Sequence, residues 1–166
     1  MTSNIVLLTI GQSYQGGIIA YILQPSDANY DANVQHGFIA APSDQSSGAP
    51  WGCEGTEISG ADGIAIGTGA QNTLDIINGC STAGIAARVC GDLVLGGYSD
   101  WYLPSRNELN QLYINRAQIG GFENQRYWSS SELSGNNAFA YHFGGWEASI
   151  NNKNESSNRF RPIRAF

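Results

Sequence analysis

Apolar runs divide the chain into a strand-rich start, a helical middle and a strand-rich end. Ile5-Val6-Leu7-Leu8-Thr9-Ile10 is rich in β-branched residues and predicts a buried strand. Gly16-Gly17 marks a turn, and Ile18 to Leu23 predicts a second strand. Pro25 to Asn33 is polar loop. Gly37 to Ala41 predicts a short third strand, stopped by Pro42. Residues 43–71 are rich in Gly, Ser and Asp and hold Trp51. A loop that long in a compact domain is functional or tied down by its own side chains.

Helical signals come next. Asn72 or Thr73 can cap a helix through Leu74, Ile76 and Ile77 that stops at Asn78-Gly79. Ser81 or Thr82 can cap a second helix through Ile85, Ala86, Ala87 and Val89. Ser105-Arg106-Asn107-Glu108 has the spacing of a capping box and opens a helix carrying Leu109, Leu112 and Tyr113. Gly120-Gly121 ends that unit. Beyond Gln125 the pattern is strand and turn: Tyr127 to Ser131, Ala138 to Phe143, Trp146 to Ile150 and Arg159 to Arg164. Strands, then helices, then strands predict an α+β fold, one domain over residues 1–166.

Composition narrows the function. Charged residues are 13% of the chain, about half the usual fraction, so the surface is built of Asn, Ser, Gln, Thr and Gly. Such surfaces are common on extracellular, virion and carbohydrate-contacting proteins. Net charge is −6, which gives no electrostatic footprint for nucleic acid. No apolar run approaches the ~18 residues that span a bilayer, so membrane insertion is not expected. Met1 to Leu8 lacks the basic start and long apolar region of a secretory signal, so display would be signal-independent or through a longer chain.

Enzymatic chemistry finds few carriers. His36 and His142 are the only histidines, and Ser129-Ser130-Ser131 lacks the nucleophile elbow of a serine hydrolase. Ile66-Gly67-Thr68-Gly69 is too short for a phosphate loop and has no lysine. Asp100 and Glu108 show no reason for a raised pKa; pairing with Arg161 or Arg164 is the better expectation for them. The cysteines are Cys53, Cys80 and Cys90, an odd number. They are either buried thiols or a bridge from Cys53 to one of the others. No cofactor is expected, although oxygen ligands at Ser26 to Asp31 leave room for a structural calcium.

An ordered set of motifs carries a resemblance. Ile10-Gly11 with Gly16-Gly17, Trp51-Gly52 and Ile66-Gly67-Thr68-Gly69 with Asn72-Thr73 lead to Gly96-Gly97-Tyr98-Ser99-Asp100-Trp101-Tyr102-Leu103-Pro104-Ser105 and Glu108-Leu109. Tyr127 to Glu132 and Arg161-Pro162-Ile163-Arg164-Ala165-Phe166 complete it. The set resembles the family typified by the C-terminal domain of the Legionella collagen-like adhesin, over about Ile10 to Phe166. The resemblance implies a C-type-lectin-like fold in the style of the formylglycine-generating enzyme. That means two or three helices, a small mixed or antiparallel sheet and long structured loops. The oxidase relatives use paired cysteines late in the domain, and this chain has none after Cys90, so it is not expected to be an enzyme. Nor do the calcium-lectin tripeptides Glu-Pro-Asn and Trp-Asn-Asp occur.

Several relatives are variable proteins of diversity-generating retroelements, in which adenines at the 3′ end of a gene are mutated. The resemblance therefore implies a ligand-binding, receptor- or host-recognition protein displayed on a phage or cell surface, with 127–166 as the variable region. The alternatives are an invariant glycan-binding adhesin domain and a structural domain of a fibre. Partners would be protein or glycan on a host or neighbouring cell surface, and a homo-oligomer is compatible. The expected ligand-binding positions are Ser134, Asn136, Asn137, Ala140, Tyr141, His142, Gly144, Trp146, Ser149, Asn151, Asn152, Asn154, Ser156 and Asn158. Tyr and Trp bury area at low entropy cost, and Asn, Ser and Gly adapt their hydrogen bonds. Trp146 is either an exposed hot spot or packed under the loop from 43 to 71. The fixed anchors would be Trp128, Ala138, Phe143, Lys153, Arg161 and Arg164, whereas Trp101, Tyr102 and Leu103 read as core. Trp146, Glu147 and Glu155 cannot arise from a mutated AAC or AAT codon and would be template-encoded.

Overall fold

The computed structural model describes residues 6–145 and 147–166. In chain order its elements are β1 (Ser13–Tyr14), β2 (Gly17–Ile22), β3 (Gly37–Ala40), α1 (Gly69–Gly79), α2 (Ala86–Gly91), α3 (Arg106–Ile114), α4 (Arg116–Ile119), β4 (Arg126–Glu132), β5 (Asn137–His142), β6 (Glu147–Asn152) and β7 (Ile163–Ala165). They make two antiparallel sheets, one in the order β1-β2-β3-β7 and one in the order β4-β5-β6. The helices fall between the two sets of strands, so the architecture is α+β.

The first sheet joins the two ends of the described chain. β3 pairs with β2 through Ile19↔Ile39 and with β7 through Ile39↔Arg164. Ile19, Ile39, Ala41 and Trp101 pack together on it. A second cluster joins Phe38, Leu109, Leu112, Tyr127, Phe143 and Ile163, between the sheets and α3. A third gathers Trp51, Ile76, Ile85, Leu103, Trp128 and Phe160 around the second sheet, α1 and α2. Each large side chain so enclosed contributes about 1.5–3 kcal/mol. Trp101, Tyr102 and Leu103 are core, as the sequence suggests.

Local chemistry explains where the helices begin. Ser105 and Glu108 form the expected capping box: Ser105 Oγ accepts from the Glu108 N–H, and the Glu108 carboxylate accepts from the Ser105 N–H. α1 starts at Gly69, ahead of the expected caps, because Asn72 and Thr73 are used elsewhere. Asn72 clamps both backbone groups of Gly63 and reaches Ser130, and Thr73 Oγ1 accepts from Leu103 N–H. A side chain at 69 would bring its Cβ within 2.4 Å of the Glu108 carboxylate, so glycine is required there. α2 starts at Ala86, not after Ser81 or Thr82. Arg88 donates to the carbonyls of Ile77, Cys80 and Thr82 and holds that segment as a turn.

Two expected strands are corrected. Residues 6–9 form no strand, and Val6 and Leu7 are exposed; Leu8 is held by the side chain of Gln35 instead. Ile5 lies outside the described residues. Of Arg159 to Arg164, only the last two residues join β7. Pro162 has no N–H for a ladder, and Arg161 turns inward. Cys53 and Cys80 form a disulfide, while Cys90 is a buried free thiol whose pKa burial pushes up. The bridge pins the long loop to the end of α1.

Candidate functional site

β5 is the middle strand of the second sheet, and its alternation fixes both faces. Ala138 and Ala140 point to the side that holds Trp128. Phe139, Tyr141 and Phe143 point to the α3 side. There the Arg106 guanidinium lies 4.6 Å from the Phe139 ring, and Tyr113 meets Tyr141 at 5.9 Å and Phe143 at 5.5 Å.

Buried polar contacts lock this sheet to the loops beneath it. Trp128 Nε1 donates to Ala49 O at 2.8 Å, and Trp51 Nε1 donates to Ser129 O at 3.0 Å. Lys153, fully buried, pairs with Glu132, donates to Thr56 O at 2.8 Å and stands 4.5 Å over the Trp51 ring. Glu132 in turn accepts the Ile58 N–H at 2.9 Å. Arg161 pairs with Asp44 at 2.8 Å and donates to the carbonyls of Ala41, Gly120 and Gly121. Arg164 pairs with Asp100 at 2.6 Å, which holds the Asp100 carboxyl below its ordinary range. Arg164 thus meets Asp100 as expected. Glu108 pairs with no arginine among the described residues; its burial raises its pKa, a perturbation the sequence did not suggest. All six expected anchors, Trp128, Ala138, Phe143, Lys153, Arg161 and Arg164, are buried.

A groove runs between α3 and the β5–β6 hairpin. The register Phe139↔Ile150 and Tyr141↔Ala148 sets these four side chains on the α3 side. α3 supplies Arg106, Asn110, Tyr113 and Ile114, which share one helical face by their spacing. The groove offers about 370 Å³ of space lined by Asn110, Tyr113, Ile114, Tyr141 and Ala148. Ile114 and Ile150 stand more than half exposed, at 55% and 53%. The groove therefore offers aromatic faces, apolar rims and a guanidinium at one end.

The expected ligand positions divide. Asn136, Gly144, Asn152, Asn154 and Ser156 are exposed, and Ser134, Asn137, Tyr141, His142, Ser149 and Asn151 are half-buried. Tyr141 lines the groove. His142 Nδ1 accepts the N–H groups of Gly144 and Gly145 and so shapes the β5–β6 turn. Asn152 and Asn154 both donate to the Glu54 carboxylate, tying the hairpin to the disulfide loop. Ala140 and Asn158 do not belong to an exposed face. Ala140 is 1% exposed because its strand position faces Trp128, and Asn158 is 2% exposed with its Oδ1 taken by Asn151. Trp146 lies outside the described residues.

Phe139, Ile150, Arg106, Asn110, Tyr113 and Ile114 complete the groove and were not among the expected positions. A signal existed: Phe139 and Tyr141 are two apart, and Arg106, Asn110 and Ile114 are four apart. What the sequence could not supply is the packing of that helix face on that strand face.

Among the described residues, no group of three or more His, Cys, Asp or Glu side chains is placed to hold a metal ion. The carboxylate of Asp27, in the loop considered for calcium, accepts from Tyr21 Oη and Gln24 N–H. A family model described as the Lcl C-terminal domain matches residues 41–164. No curated protein matches the chain.

Proposed function

The chain belongs to the Lcl C-terminal domain family, and on that premise we propose that it is a surface-displayed recognition module whose ligand sits against the β5–β6 hairpin and the α3 groove. Membership of that family supports an adhesin-type binding domain. The observation that carries the reading is the contrast between the two sides of one sheet. Its inner side is locked by buried tryptophans and the Lys153–Glu132 pair, and its α3 side presents half-buried Tyr141 with exposed Ile150 and Ile114 beside Asn110. A rigid aromatic face with adaptable polar neighbours binds without a large ordering cost. The Cys53–Cys80 bridge supports display in an oxidising compartment, outside the cell or on a virion. No helix among the described residues is long and apolar enough to cross a membrane.

An invariant adhesin domain is the reading favoured here, with host-surface glycan or protein as the ligand. A glycan array probed with the domain should give reproducible hits that vanish when Tyr113 and Tyr141 are both replaced by alanine. Hits that survive the double replacement would remove the groove from the binding face.

Diversification by a retroelement is a second reading. It is favoured by one observation: the six anchors are all buried, while Asn136, Asn152, Asn154 and Ser156 are exposed. Sibling gene copies should then differ at those exposed positions and at template adenines. Differences scattered evenly through residues 127–166 would leave the invariant adhesin alone.

A further inference from the structure

β6 is the outer strand of its sheet, and no described strand pairs with its far side. Which backbone groups face outward follows from the register. Lys153 N–H donates to Asn136 O, so residues 153, 151, 149 and 147 turn their backbone groups toward β5. Phe143 N–H donates to Gln125 O on the opposite side of β5, which fits the same alternation. Ala148 and Ile150 therefore point their N–H and C=O groups away from the sheet. No described residue hydrogen-bonds them.

Edges of this kind are normally blunted by lysine, proline, a bulge or a covering loop. β6 pairs with β5 without a register shift over six residues, contains no proline or lysine, and exposes Glu147, Ala148, Ile150 and Asn152. Its central exposed side chains are apolar, and they adjoin the Tyr141–Ile114 groove. Both ends are acidic: Glu147 opens the strand, and Glu54 lies against Asn152 and Asn154 at the other end.

We propose that the β6 edge is a strand-addition site for an extended segment of a partner protein, apolar at its centre and basic at its ends. An extended backbone is the one ligand chemistry that satisfies the outward donors and acceptors of Ala148 and Ile150 together. Alternate side chains of the added strand continue the apolar row of Ile150 and Ala148. Lysine or arginine at its two ends meets Glu147 and Glu54. A second copy of this chain is disfavoured. Antiparallel pairing along the same edge would carry Glu147 of one copy toward Glu54 of the other, a like-charge contact. The proposal rests on the hairpin's being the recognition face, and names how that face engages a polypeptide.

The test uses a short fluorescent peptide of alternating valine and threonine with lysine at each end. Its companions carry glutamate ends, or N-methyl groups on alternate backbone nitrogens in either phase. The lysine-ended peptide should bind and shift the amide resonances of Ala148 and Ile150, while the glutamate-ended and both methylated peptides bind at least about tenfold more weakly. Ala148→Pro removes an outward N–H without touching the β5 ladder and should weaken binding by a similar factor. Where its melting shows that Ala148→Pro misfolds, Ala148→Lys and the methylated peptides carry the same question. Failure of the lysine-ended peptide to bind, or equal binding to Ala148→Pro, overturns the proposal. So does a concentration-dependent dimer that Ala148→Pro abolishes, which assigns the edge to a second copy. Cell attachment separates the two ideas: loss with Tyr141→Ala but not with Ala148→Pro keeps the recognition face and removes strand addition. Attachment unchanged in both variants removes both.

Discussion

Lys153 and Glu132 meet in an ion pair beneath the three-stranded sheet, with the ammonium wholly buried and the carboxylate nearly so. Lys153 follows β6 and Glu132 ends β4, so the pair ties the two outer strands of one sheet together. It also reaches the disulfide loop, through Thr56 O and the Ile58 N–H. Charges in such a place stabilise little when whole, but are expensive to leave single. Lys153→Met should cost about 3–5 kcal/mol in urea unfolding. Adding Glu132→Gln should return part of that loss, since no lone carboxylate then stays inside. A double variant as unstable as the sum of its parts would mean the two groups do not act as a pair.

Glu108 supplies a pH dependence. Burial raises its pKa, against the opposing hydrogen bonds from Ser105 and Gly67. Its folded value lies above the unfolded one of ~4.3. The folded state therefore holds the proton more tightly, and stability falls as pH rises from the unfolded value through the folded one. Glu108→Gln keeps an acceptor for the capping box and abolishes the titration. The wild type should lose stability relative to this variant across that window, and the two curves should run parallel above it. Glu108→Ala also abolishes the titration but removes the box, so it should be less stable than Glu108→Gln by about 1–2 kcal/mol at every pH.

Much of this was legible in the chain because it is local. The capping box at Ser105 and Glu108 needs only its own spacing, and Lys153, Arg161 and Arg164 are named as fixed anchors by the family resemblance. Failures arose where tertiary contacts reassigned a residue. Asn72 and Thr73 are good caps that the fold uses as struts for Gly63 and Leu103. Val6 and Leu7 have strand propensity without a strand partner among the described residues. Ala140 and Asn158 sit between neighbours that are half-buried or exposed, and only the faces of β5 and the packing of Asn151 reveal that they are inside.

The disulfide gives a third prediction. It closes a 27-residue separation between the long loop and α1. On loop-closure entropy such a bridge stabilises by about 3–4 kcal/mol. Replacing Cys53 and Cys80 by serine should lower stability by that order, and detach the loop that Asn152 and Asn154 grip through Glu54. Cys90 is enclosed, with its thiolate disfavoured. A thiol reagent should leave the native protein unlabelled and modify one cysteine per chain once it is unfolded without reductant. Labelling of the native state would contradict the burial of Cys90.

Surface and scaffold should separate cleanly along residues 127–166. Asn136 and Ser156 are exposed, and the side chain of neither donates or accepts among the described contacts that hold the sheet. Exchange of Asn136 for Ser, Asp or Tyr, or of Ser156 for Asn, Asp or Tyr, should change stability by no more than about 0.5 kcal/mol. Asn152 and Asn154 should cost slightly more, because each gives up a bond to Glu54. Ala140→Asn is different in kind. It presses a polar amide into the Trp128 cluster, where it has no partner, and should cost about 1–3 kcal/mol. Thermal melting of the set decides the matter. If Ala140→Asn melts with the surface variants, the inner side of β5 is not packed as described, and the rigid support on which recognition depends is lost with it.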